Sequence, residues 1–297
     1  MKALIVGAGP QGRVVLDILK AQGRHAAFAF VDDASELRGR EINGVRVECG
    51  LDEALREPAG IEMIVALGNP DLRQVLAGRI ASRGVPLLNA IHPSAVIMPS
   101  ATLGRGIMVG ANAVINSNAR IGDNVIVNTA AVVEHDCVVG DGAALGPGAH
   151  LGGRATIGPS AFISTRAIVL SRVSIGSRTV VGAGAVVTRD LPESVLAWGA
   201  PARVREKLEN FDWMMQAMLD RGVATRRGVQ CAHREPAYPR STWLCACRQS
   251  PCTCLAESER AQDRCVMLPL FHQLSGADQE AVVDAFRETL AGHRAGR

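Results

Sequence analysis

Between Ile97 and Val187 an aliphatic residue recurs at every sixth position without a break. The series runs Ile97, Leu103, Val109, Ile115, Ile121, Val127, Val133, Val139, Leu145, Leu151, Ile157, Ile163, Val169, Ile175, Val181, Val187. Two residues before each stop the side chain is usually small, as at Ala101, Ala113, Ala131, Ala149 and Ala161. One residue after it glycine or asparagine dominates, as at Gly110, Asn116, Gly122 and Gly158. An amphipathic helix repeats at about 3.6 residues and a half-buried strand at about 2, so neither generates this pattern. An unbroken six predicts a triangular parallel β-helix. Each face turns one bulky side chain inward with a small one beside it, and a permissive residue occupies the corner.

The pattern changes on both sides of the repeat. Ahead of it, Ala3 to Val6 reads as a buried strand, followed by Gly7-Ala-Gly9-Pro-Gln-Gly12 and an amphipathic helix through about Gln22. A second strand, Ala27 to Val31, ends in Asp32-Asp33, and a third, Ile61 to Leu67, ends in Gly68-Asn69. This is a βαβ arrangement with candidate ligand groups at the carboxyl ends of strands. Only half a dinucleotide fold fits before the repeats begin. After Pro201-Ala-Arg-Val204 the hexad stops; Met214 to Arg221 reads as helical, and Gln279 to Leu290 as a helix with Val282, Val283, Phe286 and Leu290 on one face. The chain therefore divides into a half-Rossmann α/β domain over 1–88, a β-helix over 89–205 and a small mixed α/β extension over 206–297.

Composition narrows the function classes. A formal charge of +3 and 3% aromatic residues give no electrostatic or stacking basis for nucleic-acid binding. No stretch approaches the ~18 consecutive apolar residues of a spanning helix, and Met1 to Gly12 lacks the charged leader and long apolar core of a signal peptide. Eight cysteines without a secretion signal fit reduced thiols and a cytoplasmic location.

Chemistry enters where the repeat is broken. After Val133 the corner reads Glu134-His135-Asp136 in place of a bland residue. A histidine there can accept a proton near neutral pH, and a neighbouring carboxylate can hold its tautomer. The plain alternative is a solvated polar corner. At the amino terminus, glycines let backbone approach a phosphate at a helix start. A nicotinamide dinucleotide is the rival ligand, since Asp32 lies 20 residues after Gly12, where a ribose-binding acid belongs.

The stretch Asn128-Thr-Ala-Ala-Val-Val-Glu-His-Asp-Cys-Val-Val-Gly140 resembles the signature of nucleotide-sugar N-acetyltransferases, hexapeptide-repeat enzymes related to sialic-acid O-acetyltransferases, and the similarity spans about Met1 to Arg205. The resemblance implies a left-handed coil, a homotrimer with sites between subunits, and acetyl-coenzyme A as co-substrate, without a metal. It makes His135 the base that deprotonates a sugar amine and Asp136 its acidic neighbour, and it places Asn128 near the acceptor. Gly7, Gly9, Gly12, Asp32, Asp33, Gly68 and Asn69 then serve the nucleotide of the sugar substrate. Gly153 and the Gly182-Ala183-Gly184 turn serve the thioester and pantetheine. Two departures stand out: Ala144 replaces a histidine that family members often place near the thioester, and Ser164-Thr165-Arg166 replaces a glycine-containing corner. His150 reads as a corner residue without a role. The implied activity is N-acetylation of a perosamine- or bacillosamine-like nucleotide sugar for bacterial surface glycans. The alternatives are a sugar O-acetyltransferase and a non-catalytic nucleotide-sugar-binding scaffold.

The extension holds Cys231, His233, Cys245-Ala-Cys247 and Cys252-Thr-Cys254, whose C-x-C pairs differ from zinc-knuckle spacing. Arg221-Gly-Val-Ala-Thr-Arg-Arg-Gly, Ala232-His-Arg-Glu-Pro-Ala-Tyr238 and Met267-Leu-Pro-Leu-Phe271 resemble the end of nucleotide-sugar aminotransferases. Those enzymes bind pyridoxal phosphate through a lysine, and Lys207 is the last lysine of this chain, so no pyridoxal phosphate is expected here. A docking module for an aminotransferase, a remnant of gene fusion and a second sugar-binding surface remain the readings of this segment.

Overall fold

The structure, a computed structural model, describes residues 2–56, 59–208, 226–227, 266–267, 280–285 and 287–288. The hexads close into a three-faced left-handed β-helix. Two-residue strands pair in parallel with the strand three ahead, so that Val114 lies between Val96 and Val132 and one coil takes 18 residues. Face 1 runs from Val96–Ile97 through Val132–Val133 and His150–Leu151 to Val186–Val187. Face 2 runs from Thr102–Leu103 to Ser174–Ile175. Face 3 starts at Ala90–Ile91, rises through Met108–Val109, Ile126–Val127 and Ala144–Leu145, and is closed by Val195–Gly199 and Ala202–Lys207. The sixth-position aliphatics fill the interior, with Val109, Ile115, Val127, Val133, Leu145 and Ile163 fully buried. Each buries a side chain worth about 1.5–3 kcal/mol of transfer free energy.

The glycines that follow the aliphatics have a different job from the one their position suggests. The left-handed backbone falls two residues later, at Asn112, Asn118, Asn124, Ala130, Asp136, Arg154 and their equivalents, all with φ between 54° and 70°. Gly104, Gly122, Gly140, Gly158 and Gly176, which end the strands of face 2, lie outside that set. A Cβ on Gly158 would stand 2.6 Å from the Ser177 backbone nitrogen of the next coil, and one on Gly176 2.3 Å from that of Glu193. These glycines permit coil-on-coil contact, and the turn's conformational demand is met elsewhere. His150 is likewise not a corner residue: it is an exposed, outward position on the face 1 strand His150–Leu151.

The α/β part is a five-stranded sheet. Its elements are β1 (Lys2–Val6), α1 (Pro10–Gln22), β2 (Phe28–Val31), β3 (Glu41–Ile42), β4 (Val45–Cys49), α2 (Leu51–Ala54), β5 (Ile61–Val65) and α3 (Pro70–Ser82), in sheet order β3-β4-β2-β1-β5. The three expected strands and the first helix are present; β3, β4 and the helices α2 and α3 are additional. Gly23, in left-handed conformation at φ 68°, ends α1. The buried side of α1, including Val15, Leu16 and Leu19, joins a single apolar cluster with Ala90, Met108, Ile126 and Ala144 of face 3. Accordingly Met1–Leu208 forms one compact unit and Glu209–Arg297 a second.

In the second unit Arg226–Arg227 pairs antiparallel with Val266–Met267. Residues 280–285 and 287–288 are helical, within the expected helix; Val282 and Ala285 are buried, whereas Val283 is 40% exposed and so departs from the expected apolar face. The expected helix at Met214 to Arg221 and the residues Cys231, His233, Cys245, Cys247, Cys252 and Cys254 lie outside the described residues.

The glycine analysis separates two kinds of substitution. Gly158→Ala should cost about 1–3 kcal/mol by overpacking the next coil. Gly184→Ala, at φ 66° with nothing within 4 Å of its Cβ, should cost about 1 kcal/mol of backbone strain. Thermal unfolding of the two variants should rank them in that order.

Candidate active site

The corner between faces 1 and 2 brings residues from three successive coils together. His135 stands on the turn after Val132–Val133, with Ser117 one coil below and Gly153 one coil above. Asp136 takes φ 58°, and this left-handed turn directs its carboxylate back to the ring: His135 Nδ1 lies 2.9 Å from Asp136 Oδ2. Asn118 Nδ2 donates to Asp136 Oδ1 at 3.4 Å, and Arg154 Nε lies 3.6 Å from Oδ2. The hydrogen bond from His135 is the main cause that holds the Asp136 carboxyl below the usual carboxylate range, with Asn118 and Arg154 adding to it. A carboxylate only accepts, so Nδ1 donates to Asp136, and in the neutral ring Nε2 is the acceptor.

That acceptor faces Gly153. A Cβ there would stand 2.5 Å from His135 Nε2 and 2.7 Å from Cε1, so glycine is what gives the ring its place. Gly153 is buried, and its amide has no hydrogen-bond partner among the described residues. At three other corners the preceding side chain accepts the amide: Asn116 Oδ1 from Ser117, Asn128 Oδ1 from Thr129, and Glu134 Oε2 from His135. Gly152 has no side chain to do so, and among the described residues the Gly153 N–H has no acceptor. The His135 ring and a residue with an unpartnered amide thus sit side by side.

The other expected residues fall elsewhere. Asn128, Ser164 and Gly182 stack on the corner between faces 3 and 1, with Ala183 and Gly184 beside them, forming a second strip separate from His135. Ala144 belongs to neither strip. It points outward on face 3 between Ile126 and Phe162, is 8% exposed, and sits in the apolar cluster shared with α1. Residues not expected as site members are Asn118 and Arg154, although they lie 18 residues before and after Asp136, one coil in each direction.

At the α/β domain the carboxyl ends of β1, β2 and β5 gather the remaining candidates. Gly9 and Gly68 look onto open space. Asp33 keeps one carboxylate oxygen free, since Oδ1 accepts only from Leu51 N at 2.8 Å. Asp32 is differently occupied: Oδ2 accepts from Ala8 N at 2.8 Å and Oδ1 from Ala34 N at 3.0 Å. Gly12 lets α1 lie against the turn, because a Cβ would meet Gly7 O at 2.0 Å, and Asn69 caps α3 by accepting from Leu72 N. A dinucleotide site is poorly served here. The Ala8 amide is taken, Pro10 at the helix start has no N–H, and Asp32 is committed to backbone rather than ribose.

Two substitutions test the histidine geometry. Gly153→Ala should displace the ring and lower kcat about tenfold or more, with little effect on the melting temperature, since Gly153 has no positive φ to lose. Asp136→Asn should lower kcat by about ten- to a hundredfold by allowing the wrong tautomer. Because the Asp136 shift is downward, the carboxylate is ionised throughout the neutral range. Any stability it lends is present above its unfolded-state pKa and disappears only as pH falls through the lowered value.

Comparisons with known proteins agree with this geometry. The family model for the PglD N-terminal domain matches residues 2–80, and that for the six-repeat bacterial transferase hexapeptide matches 118–153 and 154–189. PerB of Caulobacter crescentus, solved with CoA and GDP-perosamine, is 42% identical, with 69% of this chain and 97% of that one covered and a TM-score of 0.64. The acetyltransferase domain of PglB from Neisseria gonorrhoeae, solved with acetyl coenzyme A, is 36% identical over 69% and 98%, with a TM-score of 0.66. WeeI of Acinetobacter baumannii is 29% identical over 69% and 100%, with a TM-score of 0.58. No curated protein sequence matches the chain significantly. With the α/β domain, the hexad coil and the histidine corner in place, the chain belongs to the hexapeptide-repeat acyltransferases of the nucleotide-sugar N-acetyltransferase family.

Proposed function

We propose that the protein transfers the acetyl group of acetyl-coenzyme A to the amine of a nucleotide-linked amino sugar, a perosamine- or bacillosamine-like compound destined for a bacterial surface glycan. The observation that carries this reading is His135 Nε2 packed against Gly153, whose amide has no partner among the described residues, backed by the ionised Asp136. The nucleotide binds at Gly9, Asp33 and Gly68, with Asp32 and Asn69 shaping the loops. The neutral sugar amine attacks the thioester carbonyl and a C–N bond forms. The Gly153 N–H donates to the developing oxyanion, and His135 Nε2 removes the ammonium proton. The C–S bond then breaks, and the thiolate leaves as coenzyme A, taking up a proton.

The reaction site lies between chains of a homotrimer. The α/β domain covers face 3, whereas His135 stands on the corner between faces 1 and 2, the corner that face 3 does not touch. On this reading a second chain brings the nucleotide to the base. A surface for that chain is available: the outward positions of face 1 include Val96, Val114, Val132, Ile168 and Val186, with Val96 49% and Ile168 40% exposed. The matching positions of face 2 are mostly polar, at Thr102, Arg120, Thr156 and Ser174. A row of exposed aliphatics along one face is the mark of a contact surface. The strip of Asn128, Ser164, Gly182, Ala183 and Gly184 then faces His135 of the neighbour and takes the pantetheine. Cys49 and Cys137 are free thiols, consistent with a cytoplasmic enzyme, and no helix among the described residues is long and apolar enough to cross a membrane. The segment after Leu208 is proposed to dock an aminotransferase that supplies the amine.

The direct assay is release of free coenzyme A from acetyl-coenzyme A with a panel of nucleotide-linked amino sugars and their hydroxyl counterparts. Release with the amines alone is expected, and release with hydroxyl sugars alone would make the protein an O-acetyltransferase. His135→Ala should lower turnover about a hundredfold or more, and unchanged turnover would remove His135 from the chemistry.

A further inference from the structure

Arg73, on α3, is 1% exposed and has no carboxylate partner; its guanidinium is held entirely by backbone carbonyls. Nε donates to Asn124 O at 2.9 Å and Nη2 to Gly142 O at 2.6 Å. Nη1 donates to Leu67 O at 2.7 Å and Gly68 O at 3.3 Å. The first two acceptors belong to the coil, at the corner between faces 2 and 3. They are the carbonyls of left-handed turn residues one coil apart, and neither enters the inter-coil ladder. The last two belong to the loop that follows β5. Burial pushes the guanidinium down to about 10, which leaves it charged at neutral pH.

One planar fork thus ties the coil to the loop carrying Gly68 and Asn69. The tie extends further: the Leu67 side chain lies against Gly7, where a Cβ would meet Leu67 Cδ2 at 2.7 Å. Asn124 adds a second link by donating to Gln74 Oε1 at 3.3 Å. Lysine has neither the planarity nor the number of donors to span four carbonyls in two segments.

We propose that Arg73 is a positioning residue for the acceptor: through Leu67 and Gly68 it sets the nucleotide loops of the α/β domain at a fixed register on the coil. The proposal rests on the reading that those loops hold the nucleotide. A residue that merely stabilised the fold would, on removal, lower kcat and the affinities for both substrates together. Arg73 is expected to act on the acceptor side alone.

The test uses the full chain with Arg73→Lys and Arg73→Met. Steady-state kinetics should show KM for the nucleotide sugar raised about tenfold or more, with kcat changed by less than about threefold and KM for acetyl-coenzyme A unaltered. Amide hydrogen exchange should quicken in residues 66–72 while the coil over 118–189 keeps its protection. Unaltered exchange in residues 66–72 would overturn the tie, whatever the substrate proves to be. Faster exchange with KM for the nucleotide sugar unchanged, or with both KM values raised alike, would overturn the positioning role. Absence of turnover in the unsubstituted protein would contradict the proposed reaction instead, and the exchange comparison would still decide whether Arg73 holds the loop.

Discussion

Direct stacking of one coil on the next is the constraint from which the rest of the structure follows. With 18 residues per coil, every strand pairs in register with its equivalent above and below, so side chains fall into columns. Interior columns must be aliphatic because no water reaches them. Columns that end the face 2 strands are all glycine, and the next backbone lies within 3 Å of where a Cβ would sit. Left-handed turn positions tolerate arginine and aspartate as well as asparagine, because only the backbone there is demanding and the side chain is free to point outward. Function is written into the columns that packing leaves unconstrained.

The histidine corner exploits this stacking. His135 has no side chain above it because Gly153 occupies the next level, and the same absence of a side chain at Gly152 leaves an amide unclaimed. Asp136 reaches its neighbour's ring only through the left-handed turn that every corner of the coil already contains. An ordinary strand would send adjacent side chains to opposite sides. His135, the Asp136 carboxylate and the Gly153 amide are thus brought together by one repeat geometry.

The interior of the coil was legible from sequence because a period of six matches no other secondary structure. His135 and Asp136 were legible because they interrupt that period. Other features lay outside periodicity. The corner glycines were assigned to conformational freedom, since a sequence does not reveal that the next coil passes within contact distance. The outward place of His150 was hidden because position within the six, not residue type, decides direction. In the α/β part, β3 is only two residues long, β4 alternates buried and exposed positions in place of a buried apolar run, and α3 lacks an apolar face. Its buried Arg73 breaks the pattern that identifies an amphipathic helix. Asp32 matched a ribose-binding spacing, yet both its oxygens hold the backbone of neighbouring loops.

The central claim is that acceptor loops and catalytic base come from different chains, and subunit mixing tests it most directly. One variant, Gly68→Trp, fills the open space at the nucleotide loops; the other, His135→Ala, removes the base. Each alone should be inactive. Co-expressed in equal amounts and purified through a tag on each chain, they should recover about a third of the unsubstituted activity, because in every mixed trimer one of the three contacts pairs intact loops with an intact base. Mixed assemblies as inactive as the separate variants would contradict the account and place the whole site within one chain.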